Sequence, residues 1–126
     1  MDLKDLIPKN KFDNDTAELL FNYTFEEVEP IIPKLLEWLQ DGNWPVSRPV
    51  GAYLDSLESN KIAPYLLEIL NGSDQEWKYF MISILGHKDK DKMDPKFLNE
   101  LERIAYNPTE IEKNAEVAYI ARFVLE

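Results

Sequence analysis

Val28, Ile32, Leu35 and Leu39 recur at intervals of three and four residues, and the other long apolar stretches of the chain keep the same rhythm. A period near 3.6 lines up side chains on one face of an α-helix, whereas a half-buried strand needs strict alternation. No alternating β-branched run of useful length occurs, and the chain has only four glycines with which to make hairpin turns. The spacing therefore predicts an all-α chain, cut at clusters of Asn, Asp, Gly and Pro into about seven helices.

The first helix is expected over 13–23, capped by Asp13 or Asp15 ahead of Ala17, Leu19 and Leu20. The second covers 26–40, with Ile31, Leu36 and Trp38 widening its apolar face. Thr24 and Glu27 have the three-residue spacing of a capping box. The third runs over 45–57 with Val46, Val50, Tyr53, Leu54 and Leu57 inward. Pro45 suits its first turn, and Pro49 should bend or delay it. Ser59 and Asn60 read as a turn before a fourth helix at 62–70. Asp74 caps a fifth, carrying Trp77, Phe80, Met81, Ile84 and Leu85. After the charged loop HKDKDKMD, Asp94 caps a sixth with Phe97, Leu98, Leu101, Ile104 and Ala105. Asn107 and Pro108 break it. One last helix begins near Thr109 and carries Ile111, Ala115, Ala118, Ile120, Ala121 and Val124.

An internal repeat underlies this series. IPKLL at 32–36 aligns with APYLL at 63–67, an offset of 31 residues, and Leu39 then meets Leu70. A two-residue insertion brings DGNW at 41–44 onto DQEW at 74–77. Each unit is a helix with one Pro and two Leu, a polar turn, and a second helix opened by Trp. Paired helices repeating every ~30–45 residues are the mark of an α-solenoid. The chain is thus expected to form a single domain, residues 1–126, as a HEAT-like α-α superhelix of stacked antiparallel pairs.

The stretches IPKNKFD, LLEWLQDGNWPVSRP and QEWKYFMI resemble a bacterial family known as domain of unknown function 5071. The likeness covers nearly the whole chain. It implies a HEAT-like helical repeat and supplies no activity and no catalytic residue to carry over.

Composition narrows function by exclusion. Without cysteine there is no disulfide, thiolate zinc site, iron–sulfur cluster or cysteine nucleophile. The N-terminal MDLKDLIPKNKF lacks the apolar run of a signal peptide, and the longest apolar stretch, FMISIL, falls far below the ~20 residues of a membrane span. A cytoplasmic protein is expected. The net charge of −10 opposes nucleic acid and anionic membrane, and attracts a basic partner.

Candidate chemistry is sparse. His87, the lone histidine, sits in a Lys- and Asp-rich loop and reads as a solvated residue. No metalloprotease, phosphate-loop, dinucleotide or nucleophile-elbow motif occurs. Counting an EF-hand from Asp89 puts Met93 at the fifth position and Asp94 at the sixth, where an oxygen ligand and glycine belong. No metal, cofactor or catalytic residue is expected.

The residues that stand out are Trp44, Arg48, Trp77 and Lys78, with Asp41 beside the first pair. An indole next to a cation has the composition of a binding hot spot. The plainer reading makes each Trp a plug between repeats, its N–H bonded to a carbonyl of the preceding turn, with Arg48 paired to Asp41 or Glu37. The expected function is a non-enzymatic protein-binding module, in its most concrete form an immunity-type inhibitor of a basic partner. Two alternatives stand beside it. One is a small-ligand or enzymatic site in the groove near Trp44 and Trp77. The other is self-assembly through an apolar edge of the last helix.

Overall fold

A computed structural model describes residues 2–126, leaving only Met1 of the N-terminal stretch outside it. The described residues are helical with no strand, and no helix among them is long and apolar enough to cross a membrane. The helices are α1 (Asn14–Leu19), α2 (Phe25–Val28), α3 (Ile32–Glu37), α4 (Ser47–Ser56), α5 (Ser59–Leu70), α6 (Gln75–Leu85), α7 (Pro95–Tyr106), α8 (Glu110–Asn114) and α9 (Val117–Leu125).

Helix starts follow the capping chemistry. Asp13 accepts the Thr16 N–H at 3.3 Å and the Lys9 N–H at 2.9 Å, and these bonds hold its carboxyl below the usual range. Thr24 and Glu27 form the expected capping box of α2, and Thr109 and Glu112 form a second at α8. Asp74 and Asp94 cap α6 and α7. Each satisfies backbone donors that a helix N-terminus leaves without an internal partner.

Prolines account for most departures from the expected helices. The second helix is not continuous over 26–40. Pro30 and Pro33 remove two donors, and Glu29–Ile31 tightens into a 3-10 turn between α2 and α3. Pro49 delays rather than bends: α4 starts at Ser47, which puts Pro49 third, where its missing N–H would have had no helical partner. Pro64 lies sixth in α5, whose first turn includes Ser59 and Asn60 instead of being preceded by them. The two aligned Pro-x-Leu-Leu segments therefore sit at different helical positions.

The last helix also divides. Glu116 adopts a left-handed φ of 64° between α8 and α9. The break reorients α8, so Ile111 is exposed rather than core and Glu112 turns inward in its place.

Packing joins elements two or three apart in the chain: α4 meets α6, α5 meets α7, and α9 lies against both α6 and α7. The core includes Val28, Ile32, Leu35, Leu39, Val50, Leu54, Leu66, Met81, Leu101 and Ile120. Helix α6 sits between neighbours and buries two faces. Met81, Ile82 and Leu85 enter the core, while Trp77, Phe80 and Ile84 are half-buried on its flank. A single apolar stripe therefore under-reads this helix, and the fully buried Ile82 falls outside it. The charged loop after α6 is anchored at both ends. The Lys88 ammonium reaches the Asp55 carbonyl and carboxylate, and the Asp94 N–H donates to Ser59 Oγ at 2.8 Å, with Met93 buried between.

Candidate functional site

Trp77 opens α6, where the Asp74 cap accepts its backbone N–H at 3.0 Å. That cap directs the indole toward α3, and Nε1–H donates to the Leu36 carbonyl at 2.9 Å. A buried indole needs such a partner, since an unmet donor costs about 1–3 kcal/mol. Trp77 thus plugs the seam between two helix pairs, with its N–H bonded to Leu36 of α3 rather than to the turn just before it. The same ring forms one wall of a groove of about 370 Å³ with Pro33 and Leu36 of α3, Tyr65, Glu68 and Ile69 of α5, and the turn at 72–74. Tyr65 is pinned as well: its hydroxyl donates to Glu29 Oε2 at 2.9 Å, and its ring meets Phe25 edge-on. That bond to Glu29 raises the Tyr65 pKa, with some help from burial.

The other singled-out residues lie apart from this groove. Trp44 precedes α4 and is half-buried, edge-to-face with Trp38 at 5.5 Å between ring centroids. No hydrogen bond holds its indole as Leu36 holds that of Trp77. Trp38 itself is half-buried against the core. Asp41 acts locally, its carboxylate accepting the Asn43 N–H at 2.9 Å and its carbonyl the Trp44 N–H at 3.1 Å. Arg48 is exposed and makes no ion pair with Asp41 or Glu37, and Glu37 pairs with Lys34 instead. It lines a separate depression of about 330 Å³ with Gly42, Ser47, Gly51 and Asp55.

Lys78 is not a surface cation. It is 5% exposed, its stem taken into the packing of α6, so it cannot extend an exposed surface with Arg48. The five residues do not converge on one point. Trp77 belongs to the groove, Arg48 to the depression, and Trp44 and Asp41 to the turn that leads into α4.

Trp77 stands out in the sequence by residue type, and Tyr65 and Glu68 do not. Both lie on α5 three residues apart, on a helix judged only by its apolar face. A Tyr and a Glu on the polar side of a helix carry no motif, and only the fold brings them opposite Pro33 and Trp77.

No group of three or more His, Asp or Glu among the described residues is placed to hold a metal ion. His87 is exposed, edge-on to the Phe123 ring at 6.5 Å between centroids. A tightly bonded charged cluster joins α7 to α8. Arg103 Nη2 lies 2.7 Å from Glu112 Oε2 and 2.8 Å from Glu100 Oε1. Burial alone would raise the Glu112 pKa, but Arg103 and the Thr109 N–H outweigh it and lower the carboxyl below its ordinary value. Such a pair fastens helices. It offers neither a proton donor near neutrality nor a cleft for a substrate.

The family model described as Domain of unknown function (DUF5071) matches residues 6–125, and the chain belongs to that family. No curated protein matches the chain.

Proposed function

We propose that the chain is a non-enzymatic protein-binding module whose paired helices stack as HEAT-like repeats, and that it takes a basic partner. The repeat reading is supported by the contacts of α4 with α6 and α5 with α7, and by the indole of one unit bonding to the backbone of the unit before it. The observation that carries the partner is the surface of α1 to α3. Residues 12–33 hold Asp13, Asp15, Glu18, Glu26, Glu27 and Glu29 and no Lys or Arg. Among the described residues only Glu26 of these six is paired with a cation, Lys61 at 2.9 Å. Exposed Phe12, Leu19 and Phe21 lie in the same stretch. Carboxylates without a cationic partner beside exposed aromatic surface favour a partner carrying both positive charge and apolar anchors. An immunity-type inhibitor of a basic toxin in the cytoplasm is the concrete form of this reading.

The test is affinity capture from a lysate of the host organism, with the wild-type chain beside a Glu18→Lys, Glu27→Lys double variant. Capture of a basic protein that is lost at high salt and lost with the variant supports the proposal. A partner retained equally by both chains at high salt overturns the charge argument.

A further inference from the structure

The groove between α3, α5 and the start of α6 combines two properties: fixed aromatic walls and an unbalanced negative rim. Its walls are Pro33, Leu36 and Ile69 with the Tyr65 and Trp77 rings. Both rings have their polar ends occupied, Tyr65 by Glu29 and Trp77 by the Leu36 carbonyl, so neither turns to follow a ligand. The rim carries the carboxylates of Glu68 and Asp74, and Glu29 stands behind Tyr65. No Lys, Arg or His lines the groove, and no ion pair within the described residues involves Glu68, Asp74 or Glu29. The Asp74 Oδ1 accepts the Trp77 N–H at 3.0 Å, and its second oxygen has no partner among the described residues.

We infer that this groove receives a guanidinium group, the arginine side chain of the partner. A planar, weakly hydrated cation stacks on aromatic rings and hydrogen-bonds carboxylates with its fork of donors, and this groove offers both contacts together. A neutral apolar ligand would leave the rim charges unanswered, and an anion would meet them as repulsion. A volume of about 370 Å³ lies at the small end of ligand pockets, which suits one side chain and its adjoining backbone. The inference rests on the reading of the chain as a receptor for a basic protein, and it identifies one anchor on the partner.

The test uses small probes, so that it does not depend on the macromolecular partner. N-acetyl-arginine methylamide is titrated into the isotope-labelled full chain by NMR. The matched citrulline compound, which is neutral and nearly isosteric, and the matched lysine compound are titrated alongside. The expected result is saturable shifts at Tyr65, Glu68, Gly72, Ser73 and the Trp77 indole, with binding about tenfold weaker for citrulline. Glu68→Gln, an exposed substitution that leaves the melting temperature unchanged, weakens the arginine probe about fivefold. Equal responses to arginine and citrulline, or shifts confined to other surfaces, overturn the inference. A stronger response to lysine overturns the guanidinium assignment. If the groove fails while salt-sensitive capture of a basic protein persists, the broader reading stands without this anchor. If the arginine probe binds and no basic partner is captured, the groove stands alone.

Discussion

The indole N–H of Trp77 and the carbonyl oxygen of Leu36 are 2.9 Å apart across 41 residues of chain. The bond fastens the start of α6 to the end of α3, and the ring beneath it covers the apolar seam between them. Trp77→Phe should keep most of the covered area and lose only the bond, at a cost of about 1–2 kcal/mol. Trp77→Ala should lose about 3 kcal/mol or more, because the seam opens to a cavity. Urea melts of both variants measure the difference. A Phe variant as stable as wild type would show that the bond contributes nothing net.

Gly51 and Ile84 set the approach of α4 to α6. A Cβ added at Gly51 would stand 2.5 Å from Ile84 Cγ2, closer than any real contact. Alanine has the better helix propensity by about 1 kcal/mol, yet Ile84 is β-branched and has little freedom to withdraw. Gly51→Ala should therefore destabilise by about 1–3 kcal/mol. Ile84→Ala removes the clashing Cγ2, so it should cost less in the Gly51→Ala chain than in the wild type. Thermal melts of the single and double variants form the cycle, and independent, additive effects would contradict the proposed clash.

Arg48 and Trp44 should differ in what their removal does. Arg48 is exposed and unpaired, so Arg48→Ala should change stability by less than about 1 kcal/mol. Trp44 shields Trp38 without an indole bond of its own, so Trp44→Ala should cost about 1–3 kcal/mol, less than Trp77→Ala. Chemical denaturation ranks the three. Should Trp44→Ala prove the costliest, the turn before α4 would be the stronger plug and Trp77 the weaker.

What the sequence made legible was local. Caps at Thr24, Asp74 and Asp94 are written in a few adjacent residues and stand where the spacing puts them, while at the first helix, where Asp13 and Asp15 both fit, the cap is Asp13. The apolar face of α4 was equally plain, because that helix buries one side. The misses share a cause. Ile82 escaped because α6 is packed on two sides, and Ile111 was misplaced because a left-handed Glu116 cannot be foreseen from a residue that ordinarily continues a helix. Lys78 reads as a surface cation until its neighbours close over its stem. The groove was half legible: Trp77 stood out by type, while Tyr65 and Glu68 acquire meaning only from a wall supplied by α3, some thirty residues away.

The Arg103–Glu112 pair makes stability depend on pH in a defined direction. Glu112 is 5% exposed at its side chain, and Arg103 keeps about a third of its own in water. Burial opposes ionisation of Glu112, but the bonds to Arg103 and to the Thr109 N–H prevail, so its folded pKa lies below the ordinary value of 4.5. A carboxyl lowered on folding contributes stability that is fully present above its unfolded pKa. That contribution is lost as pH falls through the folded pKa. Wild-type chain should therefore lose part of its stability below about pH 4.5, beyond any general acid effect. Glu112→Gln keeps a capping-box residue at the third helical position but removes the charge, leaving Arg103 with Glu100 alone. It should cost about 2 kcal/mol at neutral pH, below the ~3–5 kcal/mol of a fully enclosed pair because Arg103 is partly solvated. The gap between variant and wild type should then narrow as pH falls. Urea melts at neutral pH and at two acidic values measure it, and a gap that stays constant into acid would mean that the charge on Glu112 does not stabilise the junction of α7 and α8.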